Sequence, residues 1–106
     1  MKSQQQKKDP QKILQLLGLA QRARRLTTGE ELVLKAISSH QVSVVFLASD
    51  TGVNTTKRIR DKSNFNHIPV IEIFNTQQLT QAIGQPRKVI GVNDPGFAKG
   101  MVSLMN

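Results

Sequence analysis

The stretch Leu26-Thr27-Thr28-Gly29-Glu30-Glu31-Leu32-Val33-Leu34-Lys35 reads as a short strand that turns sharply into a helix. Thr28 is a good N-cap residue, and Glu31 follows three positions later, the spacing of a capping box. Gly29 lets the backbone approach a partner closely. A helix start presents unpaired N–H groups and the positive end of the helix dipole, which suits phosphates. Just upstream, Arg22, Arg24 and Arg25 add full charges as secondary phosphate contacts. The combination points to RNA binding rather than to catalysis.

Working outward, residues 1–8 (MKSQQQKK) have nothing to bury and are expected to form a flexible basic tail. Asp9-Pro10 reads as N-cap and N1 of a first helix, with Ile13, Leu14, Leu16, Leu17 and Ala20 on its apolar side. Gly18 inside it implies close approach by another element, and the helix fades near Arg24. A strand at 25–28 leads to a helix over 29–38, where Leu32, Val33, Ala36 and Ile37 have helical spacing. Val42–Ala48 is a β-branched and aromatic run, the pattern of an inner strand covered on both faces. After a loop at Asp50–Asn54, the most charged segment, with Lys57, Arg58, Arg60, Asp61 and Lys62, predicts a helix over 55–66. Ile68–Phe74 reads as the next strand, with Pro69 at its start. Asn75 or Thr76 caps a helix ending at Ile83, Gly84–Lys88 turns, Lys88–Val92 is the last strand, and Asp94-Pro95 opens a final helix.

This α-β-α-β-α-β-α-β-α order predicts an α/β fold: a three-layer α/β/α sandwich around a four-stranded mixed, mostly parallel sheet. Residues 9–106 would form a single RNA-binding domain.

Composition narrows the function classes. Fifteen Lys and Arg against seven acids give net charge +8 and a pI near 10.5, and eight of the fifteen lie in the first 35 residues. That balance favours a polyanion, nucleic acid before an anionic membrane. There is no Cys, hence no disulfide framework, thiol catalysis or Cys-based zinc site, in keeping with a cytoplasmic location. No segment has the character of a signal peptide. The uncharged run between Lys35 and Asp50 has only 14 residues, too few to span a bilayer, so no membrane partner is expected.

No catalytic or metal site emerges, and no cofactor is expected. His40 and His67 lack a carboxylate or second His at metal-ligand spacing. Ser49-Asp50 has no nucleophile elbow and no ordered His partner. Gly91-Val92-Asn93-Asp94-Pro95-Gly96 has the glycine spacing of a phosphate loop, but Phe97-Ala98 follows where Lys-Ser/Thr is required. There is no Tyr or Trp and only four Phe, with Phe46 and Phe74 expected in the core. That counts against single-strand recognition by aromatics on a sheet.

Leu16-Leu17-Gly18-Leu19-Ala20-Gln21-Arg22-Ala23-Arg24, then Thr28-Gly29-Glu30-Glu31 through Lys35-Ala36-Ile37, then Val44–Ser49-Asp50 and Asn54-Thr55, resemble the bacterial YlxQ-like proteins of the ribosomal L-seven-Ae/L-thirty-e superfamily. The resemblance covers about residues 10–104. It implies an α/β/α sandwich and binding to kink-turn RNA, a sharply bent duplex whose bulge adjoins tandem sheared G·A pairs. In that superfamily the start of the second helix enters the widened major groove, with the motif Gly-x-Asn-Glu-x-x-Lys. Aligned without gaps, its Gly falls on Gly29, its Asn on Glu31, its Glu on Leu32 and its Lys on Lys35.

Ionised Glu31 only accepts hydrogen bonds, though a carboxylate can take them from guanine N1–H and N2–H₂; Leu32 reads no polar edge. The same two acids also suit first-turn dipole pairing. The resemblance adds a second contact from the loop before the last strand, where Gly84, Gln85, Pro86, Arg87 and Lys88 would cover the bulged nucleotides. The expected RNA-binding set is therefore Thr28, Gly29, Glu30, Glu31, Lys35 and Gly84–Lys88. Lys57, Arg58, Arg60 and Lys62 read as a solvated face or secondary phosphate contacts.

The reading is a small non-catalytic, ribosome- or translation-associated RNA-binding protein. Its expected partner is structured RNA, ribosomal RNA or another kink-turn RNA. Ribosomal proteins are further possible partners, and monomer is the default state. The alternative is a protein-docking or ribosome-assembly adaptor on the same fold. An accessory domain of an RNA-modifying enzyme ranks third, since this length leaves no room for a catalytic domain.

Overall fold

The computed structural model describes residues 8–106. The expected tail therefore lies, apart from exposed Lys8, outside the described residues. Nine elements follow in order: α1 (Pro10–Arg22), β1 (Leu26–Thr28), α2 (Glu30–Ser38), β2 (Val44–Leu47), α3 (Val53–Phe65), β3 (Val70–Ile71), α4 (Thr76–Ile83), β4 (Val89–Val92) and α5 (Pro95–Ser103). The expected alternation holds throughout.

Local chemistry sets several boundaries. Asp9 accepts from the Lys12 amide at 3.1 Å and Pro10 occupies N1, so α1 begins where its missing N–H costs nothing. α4 opens on a full capping box between Asn75 and Gln78. In α5, Asp94 Oδ1 accepts from the Gly96 and Phe97 amides. α1, α2 and α3 share one C-terminal device: Arg24, His40 and His67 have φ of 60°, 58° and 58°, turning the chain off the helix in the left-handed region.

Alternation along the strands divides the interior into two layers. Val44 and Phe46 of β2, with Ile90 and Val92 of β4, face α1, α4 and α5 through Ile13, Leu17, Leu79, Ile83 and Met101. Val45 and Leu47 face the opposite way, onto Val33 and Ile37 of α2 and Ile59 of α3. Phe46 and Phe74 are both buried as expected, their ring centroids 6.3 Å apart. Gly18 marks a close approach: a Cβ there would meet the Ala82 carbonyl oxygen at 3.0 Å.

The sheet corrects one expectation. Its order is β1-β4-β2-β3, and only β2 and β3 are parallel; β4 runs antiparallel to both β1 and β2. Alternating helices and strands dictate layers, not strand direction. Direction here is decided by the short α4 excursion, which closes on itself. α4 begins at Thr76, bonded to Asp50 just past the end of β2, and the chain returns at Lys88, whose carbonyl accepts from the Ala48 amide at 2.8 Å. β4 thus enters the sheet at the end where β2 leaves it.

Other boundaries shift. The strand expected over 68–74 shrinks to Val70–Ile71, an edge pairing only with Val45 and Phe46. α3 begins at Val53 rather than Thr55, with Gly52 as N-cap.

Candidate nucleic-acid interface

The start of α2 differs from a capped helix. Thr28 belongs to β1, opposite Ile90, and the N-cap is Gly29, with φ 96° and ψ 146° and no side-chain cap. The expected Thr28–Glu31 capping box is absent because Thr28 is still paired in β1 and the helix starts one residue later, at Glu30; Thr28 Oγ1 instead accepts from Arg87 Nε at 3.2 Å. The Gly29 amide donates to the Val89 carbonyl at 3.0 Å. The strand-to-helix turn is therefore clamped to the start of β4, in a backbone geometry that suits glycine.

This pairing joins the two expected contact segments, 59 residues apart in the sequence, into one surface. Gly84, with φ 81°, ends α4 and is exposed; Pro86 and Lys88 are also exposed, and Gln85 and Arg87 are half-buried. Arg87 Nη1 donates back to the Pro86 carbonyl at 2.8 Å while its Nε reaches Thr28. Lys88 Nζ donates to Thr76 Oγ1 at 3.0 Å, and that hydroxyl donates to Asp50 Oδ1 at 2.7 Å. The loop is thus fixed at both ends. The two Thr76 hydrogen bonds, side-chain then backbone, hold the Asp50 carboxyl below its ordinary value, with a further contribution from Lys88.

The two acids of α2 part company. Glu30 turns toward α3, its side chain only 23% exposed; Oε1 accepts from Thr55 Oγ1 at 2.8 Å and Oε2 pairs with Arg58. Glu31 projects outward, its side chain 83% exposed, with Arg58 Nη1 3.8 Å away. Lys35 is exposed on the same helix. The outward positions of the helix start are thus Glu31, Leu32 and Lys35, whereas Glu30 ties two helices together.

The arginines ahead of β1 are not brought to the helix start. Arg25 lies at the opposite end of the strand, its carbonyl accepting from Asn93 and its Nε 3.8 Å from Asp94. Arg22 and Arg24 precede it, exposed at the end of α1. Four residues of extended chain place Arg25 roughly 13 Å from Gly29, so these charges border the surface rather than crowd the helix N-terminus.

On α3, Lys57 pairs with Asp61 at 2.9 Å and Arg60 holds Glu72 through both Nε and Nη2. The roles of Thr55 and Arg58 toward Glu30, and of Thr76 between Asp50 and Lys88, were not legible in the sequence, because each joins elements whose distance apart gives no local signal. Among the described residues no group of three or more His, Cys, Asp or Glu could hold a metal ion, and no helix is long and apolar enough to cross a membrane.

A three-layer α/β/α domain, with a strand-to-helix turn pinned beside the loop before the last strand, defines the class of this protein. The chain belongs to the ribosomal protein L7Ae/L30e/S12e/Gadd45 family, whose model matches residues 11–102. A protein of Enterococcus faecium named RNA-binding protein YlxQ is 47% identical over 95 residues, covering 90% of this chain and 92% of that relative. RNA-binding protein YlxQ of Bacillus subtilis (strain 168) is 39% identical over 92 residues, 86% of this chain and 92% of its own. Among solved structures, a protein of unknown function from Bacillus halodurans superposes with TM-score 0.86 at 49% identity, covering 89% of this chain and 96% of that one. The Giardia lamblia 15.5kD RNA binding protein shares the fold, with TM-score 0.77 at 14% identity over 88% of this chain and 81% of its own.

Proposed function

We propose that this chain is a non-catalytic RNA-binding protein that recognises sharply bent, kink-turn-like RNA and works in the cytoplasm in association with the ribosome or the translation apparatus. The relatives named RNA-binding proteins, together with the net charge of +8, support RNA as the partner. The observation that carries the finer reading is the clamp between Thr28-Gly29 and Arg87: it sets a helix N-terminus and a loop with exposed Pro86 and Lys88 side by side. A bent duplex presents two surfaces to such a corner, a widened groove for the α2 start and bulged nucleotides for the loop. Glu31 accepts from a sheared guanine edge, Lys35 meets phosphate, and Gly84–Lys88 covers the bulge.

The test is a titration against a short kink-turn RNA and the same RNA with its sheared G·A pairs changed to Watson–Crick pairs, at two salt concentrations. Tight binding to the first alone supports shape recognition. Equal binding to both, weakening steeply with salt, overturns it and leaves only charge-driven association. About six phosphate contacts would lower affinity roughly a thousandfold between ~50 and ~200 mM salt.

A further inference from the structure

The groove between α2 and α3 adjoins the interface just described and shares Glu31, Leu32 and Lys35 with its α2 start. It is lined by Leu32, Leu34 and Lys35 on one side and by Arg58, Lys62 and Phe65 on the other. The helices run in the same direction, since Glu30 in the first turn of α2 meets Thr55 and Arg58 near the start of α3. The groove therefore leads away from the α2 start along a helix about 13 Å long.

Two features set it apart from ordinary surface. The first is apolar exposure in a chain poor in aromatics: Phe65, one of only four Phe, is 82% exposed and Leu32 60%. The second is residual positive charge. Asp61 on this groove is neutralised by Lys57, and Arg58 is held by Glu30 with Glu31 nearby. Lys35 and Lys62 form no salt bridge among the described residues, while Glu31 shares Arg58 with Glu30, so the charged side chains lining the groove leave one net positive charge beside the aromatic face. An unpaired nucleotide satisfies both features, because its base has a face to stack and its phosphates carry the opposite charge.

We infer that the α2–α3 groove takes an unpaired nucleotide continuing from the RNA held at the α2 start, with Phe65 and Leu32 contacting the base and Lys35 and Lys62 the flanking phosphates. This rests on the proposed RNA-binding function and extends the footprint beyond the bent duplex. Phe65 supplies on a helix the exposed aromatic that the strands lack.

The experiment compares the wild-type chain with Phe65→Ala and Phe65→Trp on a blunt kink-turn RNA. It also uses versions carrying a short single-stranded extension at each strand end in turn, the extension including a fluorescent purine whose emission falls on stacking. One extended RNA should bind about tenfold tighter than the blunt one, with quenched emission. Phe65→Ala should erase that gain while leaving blunt affinity unchanged, and Phe65→Trp should keep it. Blunt RNA that binds without any extension adding affinity overturns the groove site and leaves the bent-duplex reading standing. Extended RNA that binds through Phe65 while the blunt kink-turn fails overturns the bent-duplex reading and keeps the groove. Equal losses on all RNAs in Phe65→Ala, or a dimer or protein complex that this substitution dissolves while RNA affinities stay level, also overturn the proposal.

Discussion

Arg87 Nε donates to Thr28 Oγ1 at 3.2 Å, joining the end of β1 to the loop before β4. The antiparallel β1–β4 pairing carries the two residues to the same end of the sheet. A partly buried hydrogen bond from a charged donor contributes on the order of 1 kcal/mol, and here it also fixes the spacing of two surfaces that must act together. Thr28→Val and Arg87→Ala should each lower unfolding stability by about that amount. The double variant should lose less than the sum of the two in urea titrations; strict additivity would show that the contact does not couple the segments.

Gly29 carries a heavier constraint. Its φ of 96° and ψ of 146° lie close to a region that only glycine occupies readily, and no atom lies within 4 Å of a Cβ built there. The cost of Gly29→Ala is therefore backbone strain rather than a clash, about 1–3 kcal/mol. Urea unfolding measures it directly. An unchanged midpoint would mean that the turn into α2 rearranges without cost.

The opposite sign is expected at the helix ends. His40 and His67 sit exposed with φ of 58°, each following its helix at the position where glycine is usual. Relief of the left-handed strain, offset in part by the greater freedom of glycine in the unfolded chain, should make His40→Gly and His67→Gly each stabilising by roughly 0.5–1 kcal/mol. Thermal melts of the two single variants check this, and a fall in Tm would show that the imidazoles contribute contacts worth more than the strain.

Much of this architecture was written locally. Asp9-Pro10, Asn75 or Thr76, and Asp94-Pro95 announce helix starts within a few residues, and the run Val42–Ala48 announces an inner strand. What the chain does not write locally is how strands pair. The direction of β4 depends on Lys88 returning to Ala48 and Thr76, a closure decided by tertiary packing. The same limit governed the site: Gly29 and the Gly84–Lys88 loop were both visible as candidates, yet the β1 pairing that keeps Thr28 out of the cap, and its bond to Arg87, were not. Nor did adjacency in sequence bring Arg25 to Gly29, because an extended strand separates what a turn would have gathered.

Asp50 gives the fold an acid-sensitive point. Its carboxyl accepts from both the amide and the hydroxyl of Thr76, and these bonds hold it below its ordinary value of 3.8. A carboxyl with a depressed value in the folded state stabilises the fold above its unfolded value and loses that contribution as pH falls through the folded one. The wild-type chain should therefore lose stability progressively below about pH 4, and Asp50→Ala should flatten that limb while lowering stability at neutral pH. Parallel acid limbs in the two proteins would remove Asp50 from the acid response.

The neighbouring acids of α2 should separate fold from recognition. Glu30 is held by Thr55 and Arg58, so Glu30→Ala leaves a half-buried hydroxyl and a guanidinium without their acceptor and should cost about 1 kcal/mol of stability. Glu31, facing solvent, should change stability by less than about 0.5 kcal/mol when replaced by alanine. Binding should respond in the other order at the site itself. Glu31→Ala should weaken association with the kink-turn RNA more than with a plain duplex, because a carboxylate accepting from a guanine edge is lost only where that edge is presented. Lys35→Ala should weaken both and reduce the salt slope by about one. Unfolding curves and paired RNA titrations on the same preparations decide the matter. A Glu31 variant that binds both RNAs equally less well, or better, would take base reading away from that residue and leave the α2 start to act through its amides and Lys35.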